Sequence, residues 1–216
     1  MKVEMETIGH VETCYDEKFG VPRQPGLVPQ AGGRGVFDNA YRGESFLRGI
    51  EGFSHLWVVF LFHKAPMKPG RGMVRPPRLG GNERRGVFAT RAPYRPNSIG
   101  LSVVELVGVD TDHPDGPVLN LRGVDLVNGT PILDVKPYVP FCDSVENAVG
   151  GFVSGAPNRM PVVWDVVHEL TDEQKELFEQ TLALDPRPAY QEDEARTYGC
   201  MVDGVNVRWQ VISGVC

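Results

Sequence analysis

A chain of 216 residues with 41% hydrophobic and 23% charged positions can hold one large domain, or a domain with a small appendage, and its composition excludes a disordered or fibrous protein. A formal net charge of −6 taken alone argues against a nucleic-acid partner. The longest apolar run, Leu56 to Phe62, is far short of the ~20 residues needed to cross a bilayer, so it is expected in a core and no membrane span is expected.

The N-terminal residues alternate charge with apolar side chains and contain no apolar stretch of signal-peptide length, which predicts a cytoplasmic protein. Val3, Met5 and Thr7, separated by Glu4 and Glu6, predict a half-buried first strand ending near Val11. Residues 15–42 are rich in Gly and Pro. Within them Pro22 and Pro25 bracket Arg23 and Gln24, a stiffened polar turn. Gly32-Gly33-Arg34-Gly35 lacks a strand-loop-helix frame and is expected to be a flexible turn rather than a phosphate cradle.

Phe53 to His63 is β-branched and aromatic, as expected of a strand buried on both faces at the centre of the core. The histidines flanking it, His55 and His63, read on their own as partly buried, hydrogen-bonded side chains. None of the five histidines falls at H-x-x-x-H spacing and the four cysteines form no C-x-x-C pair, so no metal is expected and the thiols are expected to be reduced. From Lys64 to Arg95 nine lysines and arginines are opposed only by Glu83. This basic run on an acidic chain has the footprint of a polyanion-binding surface. Its arginines Arg71, Arg75, Arg78, Arg84 and Arg85 are expected at the phosphates of such a partner.

A short strand is expected over Gly86–Thr90, followed by a loop stiffened by Pro93 and Pro96 that carries Arg91, Tyr94, Arg95, Asn97 and Ser98. A rigid loop dense in donors is where binding groups concentrate. Further strands are expected over Ile99–Val109, Val118–Val127 and Pro131–Val135, with Asn128-Gly129 as a two-residue hairpin turn. At least six strands without a convincing helix predict a closed or nearly closed barrel over residues 1–146. Residues 147–158 read as a linker. Residues 159–216 read as a small α+β domain. In it Thr171 and Gln174 form a capping box, Leu177, Phe178, Thr181 and Leu182 make an apolar stripe, and Asp203-Gly204 turns a hairpin. Arg187 and Tyr190 in its proline-locked turn supply a donor and a stackable ring and are expected to contact a nucleic-acid partner. Against this, Val205, Val207, Trp209 and Val211 offer an apolar face that packing on the barrel or on a partner would equally explain.

Three segments, 53–63, 86–102 and 121–138, together with Asp185–Tyr190 and Asn206–Trp209, closely resemble the TsaA-like (YaeB/VirR) family over nearly the whole chain. The resemblance implies a mainly β, TsaA-like barrel: a non-Rossmann methyltransferase using S-adenosylmethionine. It further implies action on N6 of threonylcarbamoyladenosine at position 37 of tRNA, beside the anticodon, and a homodimer with the cofactor near the subunit interface. Carried onto this sequence, cofactor contacts are expected from Pro22, Arg23, Gln24, His63, Lys64 and Arg91. Leu101 and the segment Arg122, Gly123, Val124 and Asp125 complete that set. Asp125, His63 and Tyr138 are the catalytic candidates. Ser98 stands where the family more often has proline, and Asn128 where aspartate is common.

Without the family, the absence of G-x-G-x-x-G after a strand excludes a Rossmann methyltransferase. A sulfonium cofactor needs an apolar slot, an acceptor near its positive sulfur and polar groups at either end. Arg23, Gln24, Arg91 and Asp125 are plausible suppliers. The alternative is a non-catalytic RNA-binding barrel, which needs stacking aromatics; only Tyr94 and Tyr138 stand out as such.

Overall fold

The computed structural model describes residues 1–65, 72–165, 169–188, 191 and 193–216. Along the described chain run β1 (Gly9–Thr13), β2 (Gly32–Phe37), β3 (His55–Leu61), β4 (Met73–Val74), β5 (Arg85–Gly86) and β6 (Ile99–Asp110). They are followed by β7 (Val118–Arg122), β8 (Thr130–Pro137), β9 (Tyr198–Val202) and β10 (Val205–Trp209). Six strands close into an antiparallel barrel in the order β1-β2-β7-β6-β3-β8, with β8 returning to β1. Closure leaves no open sheet edge. β4 and β5 pair as a separate ribbon, and β9 and β10 form a hairpin in the C-terminal part.

The barrel imposes one inner and one outer face on every strand. In β3, Leu56, Val58 and Phe60 are buried while Trp57, Val59 and Leu61 are only half-covered. The expectation of burial on both faces is therefore corrected: the outer face is covered only locally, as where Trp57 packs on Tyr138 and its Nε1 donates to Asp143 at 3.0 Å. The first strand begins at Gly9, not Val3, because residues 1–7 alternate but meet no partner strand, and Val3 and Met5 are exposed.

Gly32–Gly35 is not a flexible turn but the start of β2, held between β1 and β7. A Cβ on Gly33 would lie 3.0 Å from the Glu12 carbonyl oxygen and 3.1 Å from Val124, so the glycine makes room for a neighbour rather than for a bend. The strand expected over Gly86–Thr90 is confined to β5 and passes into a 3₁₀ turn at Val87–Ala89. At Asn128-Gly129 the chain turns, with Thr130 N–H donating to Val127 at 3.1 Å. Only Gly129 has positive φ, however, and β8 pairs with β1 and β3 instead of β7, so this is not a hairpin. Asp203-Gly204, with φ of +51° and +71°, is one.

Two short helices, α1 (Glu44–Leu47) and α2 (Pro140–Asp143), precede α3 (Asp172–Leu182). The capping box at Thr171 and Gln174 is formed, at 3.2 and 3.3 Å, and the stripe Leu177, Phe178, Thr181 and Leu182 is buried as expected. That stripe meets the barrel through Tyr15, whose fully buried hydroxyl lies 3.2 Å from Thr181 Oγ1. Trp209 is sandwiched between Phe19 and Tyr198, with ring centroids 5.7 and 5.9 Å apart. The apolar face of β10 is thus covered by the loop that leaves β1. No helix among the described residues is long and apolar enough to cross a membrane.

Phe60 and Gly100 face each other across β3 and β6, and a Cβ on Gly100 would sit 2.2 Å from the Phe60 ring. Gly100→Ala is expected to lower stability by about 1–3 kcal/mol through overpacking, measured as a reduced urea midpoint with an unchanged slope.

Candidate active site

The loops leaving β1 and β3, the β4–β5 ribbon and the start of β6 converge with residues 150–157 and the end of α3 on a cleft of about 1970 Å³. Its floor is apolar, with Phe60, Phe62, Leu101 and Leu126. One wall is the proline-bracketed turn: Pro22 is buried, Gln24 Nε2 donates to the Arg23 carbonyl, and Arg91 Nη1 donates to Gln24 Oε1 at 2.6 Å. This joins two prolinated loops that are distant in sequence.

Asp125 is placed by the backbone before it. Gly123, at φ +70°, accepts from the Gly26 N–H at 2.8 Å, and Val124 N–H donates to Ala31 at 3.2 Å. Val124 is thereby held in the core and Asp125 lines the cleft. Ser102 Oγ donates to Asp125 Oδ1 at 2.7 Å. Burial pushes the Asp125 carboxyl up to about 6; the Ser102 bond, its own backbone and the charge of Arg91 pull it down without prevailing. His63 also lines the cleft, and burial followed by the charge of Lys64 holds its imidazole below the ordinary value. Lys64 Nζ donates to the Asp16 carbonyl at 2.7 Å.

Pro22, Arg23, Gln24, His63, Lys64, Arg91, Leu101 and Asp125 therefore share one cavity, and Arg75, Arg78 and Arg84 of the basic run open onto the same cavity. Arg122, Gly123 and Val124 are not in its wall: Arg122 is exposed at the end of β7, and the other two anchor Asp125. Tyr138 is not there either, because it leaves β8 beside the His55 and Trp57 rings, at 6.3 and 5.9 Å. Arg85 pairs with Glu83, and Arg187 forms a bidentate pair with Asp185. Arg71 and Tyr190 lie outside the described residues. The sequence reading missed Gly150, Phe152 and Val153, which line the cleft although they read as linker. A Cβ on Gly150 would lie 2.5 Å from the Val153 carbonyl oxygen, so this is a tight turn and not a slack tether. Among the described lining residues, eight side chains are Lys or Arg and two, Asp125 and Asp185, are carboxylates. No group of three or more His, Cys, Asp or Glu that could hold a metal ion occurs among the described residues.

Family models described as the tRNA-methyltransferase O N-terminal domain and the TrmO C-terminal domain match residues 10–144 and 162–216. The chain belongs to the tRNA-methyltransferase O family. Within that family it is 44% identical to the tRNA (adenine(37)-N6)-methyltransferase of Escherichia coli (strain K12), over 96% of this chain and 93% of the relative. A Pseudomonas aeruginosa relative named as an S-adenosylmethionine-dependent methyltransferase is also 44% identical, over 97% of this chain and 93% of its own. A crystal structure of TrmO superimposes with a TM-score of 0.79 at 37% identity, covering all of this chain and 96% of the other. The closed six-stranded barrel and the α+β C-terminal part are accordingly the architecture of a tRNA-methyltransferase O.

Because the folded pKa of Asp125 lies above the usual carboxylate range, its contribution favours the fold fully below about 3.8 and is lost as pH rises through about 6. Asp125→Asn should flatten that part of the stability profile, read from urea midpoints between pH 4 and 7. Ser102→Ala, by removing the donor, should move the midpoint of the Asp125 carboxyl resonance to higher pH.

Proposed function

We propose that this protein is an S-adenosylmethionine-dependent tRNA (adenine(37)-N6)-methyltransferase whose target is N6-threonylcarbamoyladenosine, methylated at N6. The observation that carries the reading is a single cleft that combines an apolar floor and a half-buried carboxylate with an arginine-rich rim. Small-molecule pockets enclose roughly 300–1,000 Å³, and a cleft of about 1970 Å³ has room for a cofactor together with an unstacked nucleoside. The E. coli relative supplies the position and the atom.

The residues present fit a sulfonium cofactor. Asp125 has Ser102 as its hydrogen-bond donor and no ion-pair partner among the described residues, which leaves an acceptor free for a positive group. Arg23 and Arg91 can hold a carboxylate, and Leu101 with Phe60 and Phe62 can cover the apolar part. When bound, S-adenosylmethionine supplies an electrophilic methyl group. Asp125, ionised above about pH 6, takes the proton that N6 releases as its nitrogen acquires the methyl. His63, held neutral, borders the same space and adds no charge. Arg75, Arg78 and Arg84 grip phosphates on the rim.

A barrel that only bound RNA would gain nothing from Asp125, since a buried carboxylate repels phosphate and costs stability when ionised. We further propose that the barrel of residues 1–146 carries catalysis, that 159–216 forms the second domain, and that the enzyme works in the cytoplasm as a homodimer. Exposed Phe88, Phe141 and Val149, at 80, 89 and 94% exposure, support a partner surface.

The reading is tested by incubating the protein with labelled cofactor and tRNA that carries or lacks the threonylcarbamoyl group, then analysing nucleosides by mass spectrometry. Methyl label at N6 only in modified tRNA is expected, and label in neither would refute it. Asp125→Asn should reduce kcat by about 10²-fold or more and abolish the acid limb near pH 6 of the wild-type kcat/KM profile. Replacing Arg75 and Arg84 together by Ala should flatten the log-log salt dependence of anticodon stem-loop binding by about 1.4, for two single-strand phosphate contacts. Cofactor affinity should stay unchanged, and an unaltered slope would remove these arginines from the RNA interface.

A further inference from the structure

The turn after α3 is locked onto itself and onto the barrel. Asp185 adopts a left-handed backbone, φ +49°, at the end of the helix, where its N–H donates to Leu182 at 3.0 Å. Across Pro186 its two carboxylate oxygens receive Arg187 Nε at 2.7 Å and Nη2 at 2.9 Å, and the Arg187 N–H reaches the first of them at 3.3 Å. Proline between the partners fixes φ and rules out most alternative loop shapes. The Arg187 side chain is only 14% exposed. Its charge is engaged by Asp185 and is not offered to solvent.

What this ring presents outward is the Arg187 carbonyl, which accepts from Arg23 Nη2 at 3.4 Å. Asp185 and Pro186 stand in the cleft wall and Arg187 stands behind it. Arg23 is subject to two opposing charges: burial and the neighbouring Arg78 disfavour its cationic form, and Asp185 favours it.

We infer that the Asp185–Arg187 clasp is a positioning device for the cofactor half of the cleft, holding Arg23 in the orientation its ligand requires. The inference rests on the proposed cofactor role of Arg23. It gives the C-terminal part a task that differs from the RNA contact expected of Arg187: the clasp completes a binding site that lies mostly on the barrel. Arg187 is a positioning residue, acting through Arg23, and the planar two-point pairing is one that lysine, a single point charge, does not reproduce.

The test is a double-mutant cycle read by calorimetric titration of S-adenosylhomocysteine, the probe, with melting temperature and anticodon stem-loop affinity measured on every variant. Arg187→Ala is expected to weaken probe binding about ten- to a hundredfold, as is Arg23→Ala, the scale of one lost hydrogen bond to a charged group. The double variant should bind no more weakly than Arg23→Ala alone, because the clasp acts only through that side chain. Asp185→Asn, which tolerates the left-handed backbone but loses the ion pair, should reproduce the effect even if Arg187→Ala folds poorly. Arg187→Lys should fail to restore affinity. Stem-loop affinity should not change.

Multiplying factors in the double variant would overturn the inference and leave Arg187 as a general support of the fold. Loss of stem-loop affinity with intact probe binding would overturn it in favour of an RNA contact, and wild-type affinity of Arg23→Ala would remove the side chain it acts on. Wild-type protein that binds no probe at all would instead refute the cofactor reading itself, and the clasp inference with it.

Discussion

β1 closes the barrel by pairing with β2 along its whole length and with β8 through Gly9–Ile132, His10–Pro131 and Val11–Thr130. The seam is tight. A Cβ on Gly9 would lie 2.1 Å from the Val36 carbonyl oxygen, so only glycine admits the two backbones at that spacing. Because β1 is tied on both sides, the chain that leaves it is delivered at one place: Tyr15 enters the core of the C-terminal part, Phe19 stacks on Trp209, and Pro22 to Gln24 cross the mouth of the cleft. If the barrel opened at this seam, the shared core and one wall of the site would be lost together.

That geometry makes the C-terminal part less of an appendage than its size suggests. Tyr15, Leu177, Phe178, Tyr198 and Trp209 belong to the same buried cluster as Val11, Leu56 and Ile132. Small domains bury too little surface to be secure alone, and here the deficit is met by borrowing a tyrosine and a phenylalanine from the barrel loop. The functional consequence is mechanical. Whatever moves α3 moves Asp185, and with it the carbonyl that receives Arg23.

The electrostatic design is a contrast between the molecule and its cleft. A net charge of −6 would repel RNA, yet among the described residues of the cavity wall eight Lys and Arg stand against two carboxylates. A concave site of one sign focuses its field and can attract a polyanion that the rest of the surface repels. Inside this positive cleft Asp125 nevertheless has a raised pKa, because desolvation outweighs Arg91 and the Ser102 bond. Burial decides the outcome, which places the group near neutrality, where a carboxylate can both hold and release a proton.

Local chemistry was legible in the residues themselves. The capping box at Thr171, the helical stripe, the Asp203-Gly204 hairpin and the proline-bracketed turn around Arg23 each follow from preferences within a few residues, and the strand count with its turns led to the barrel. Family motifs then named the set around Asp125. What failed were readings that depend on who sits alongside. Val3 and Met5 had the pattern of a strand but no neighbour, Gly32–Gly35 had neighbours but not the pattern, and Asn128-Gly129 had a hairpin signal between strands that do not pair. The surroundings of Tyr138 and Arg187 were likewise not readable along the chain: the one lies against Trp57 and the other pairs with Asp185, which leaves their functional roles as proposals. The sequence by itself determined turns, caps and periodicities, because these are set by φ preferences and side-chain spacing along the chain. Only the tertiary structure decided strand order, the shared core and the convergence of Arg23, Arg91, Asp125 and Asp185 on one cleft, because those depend on contacts between segments as far apart in sequence as Phe19 and Trp209 that no local preference encodes.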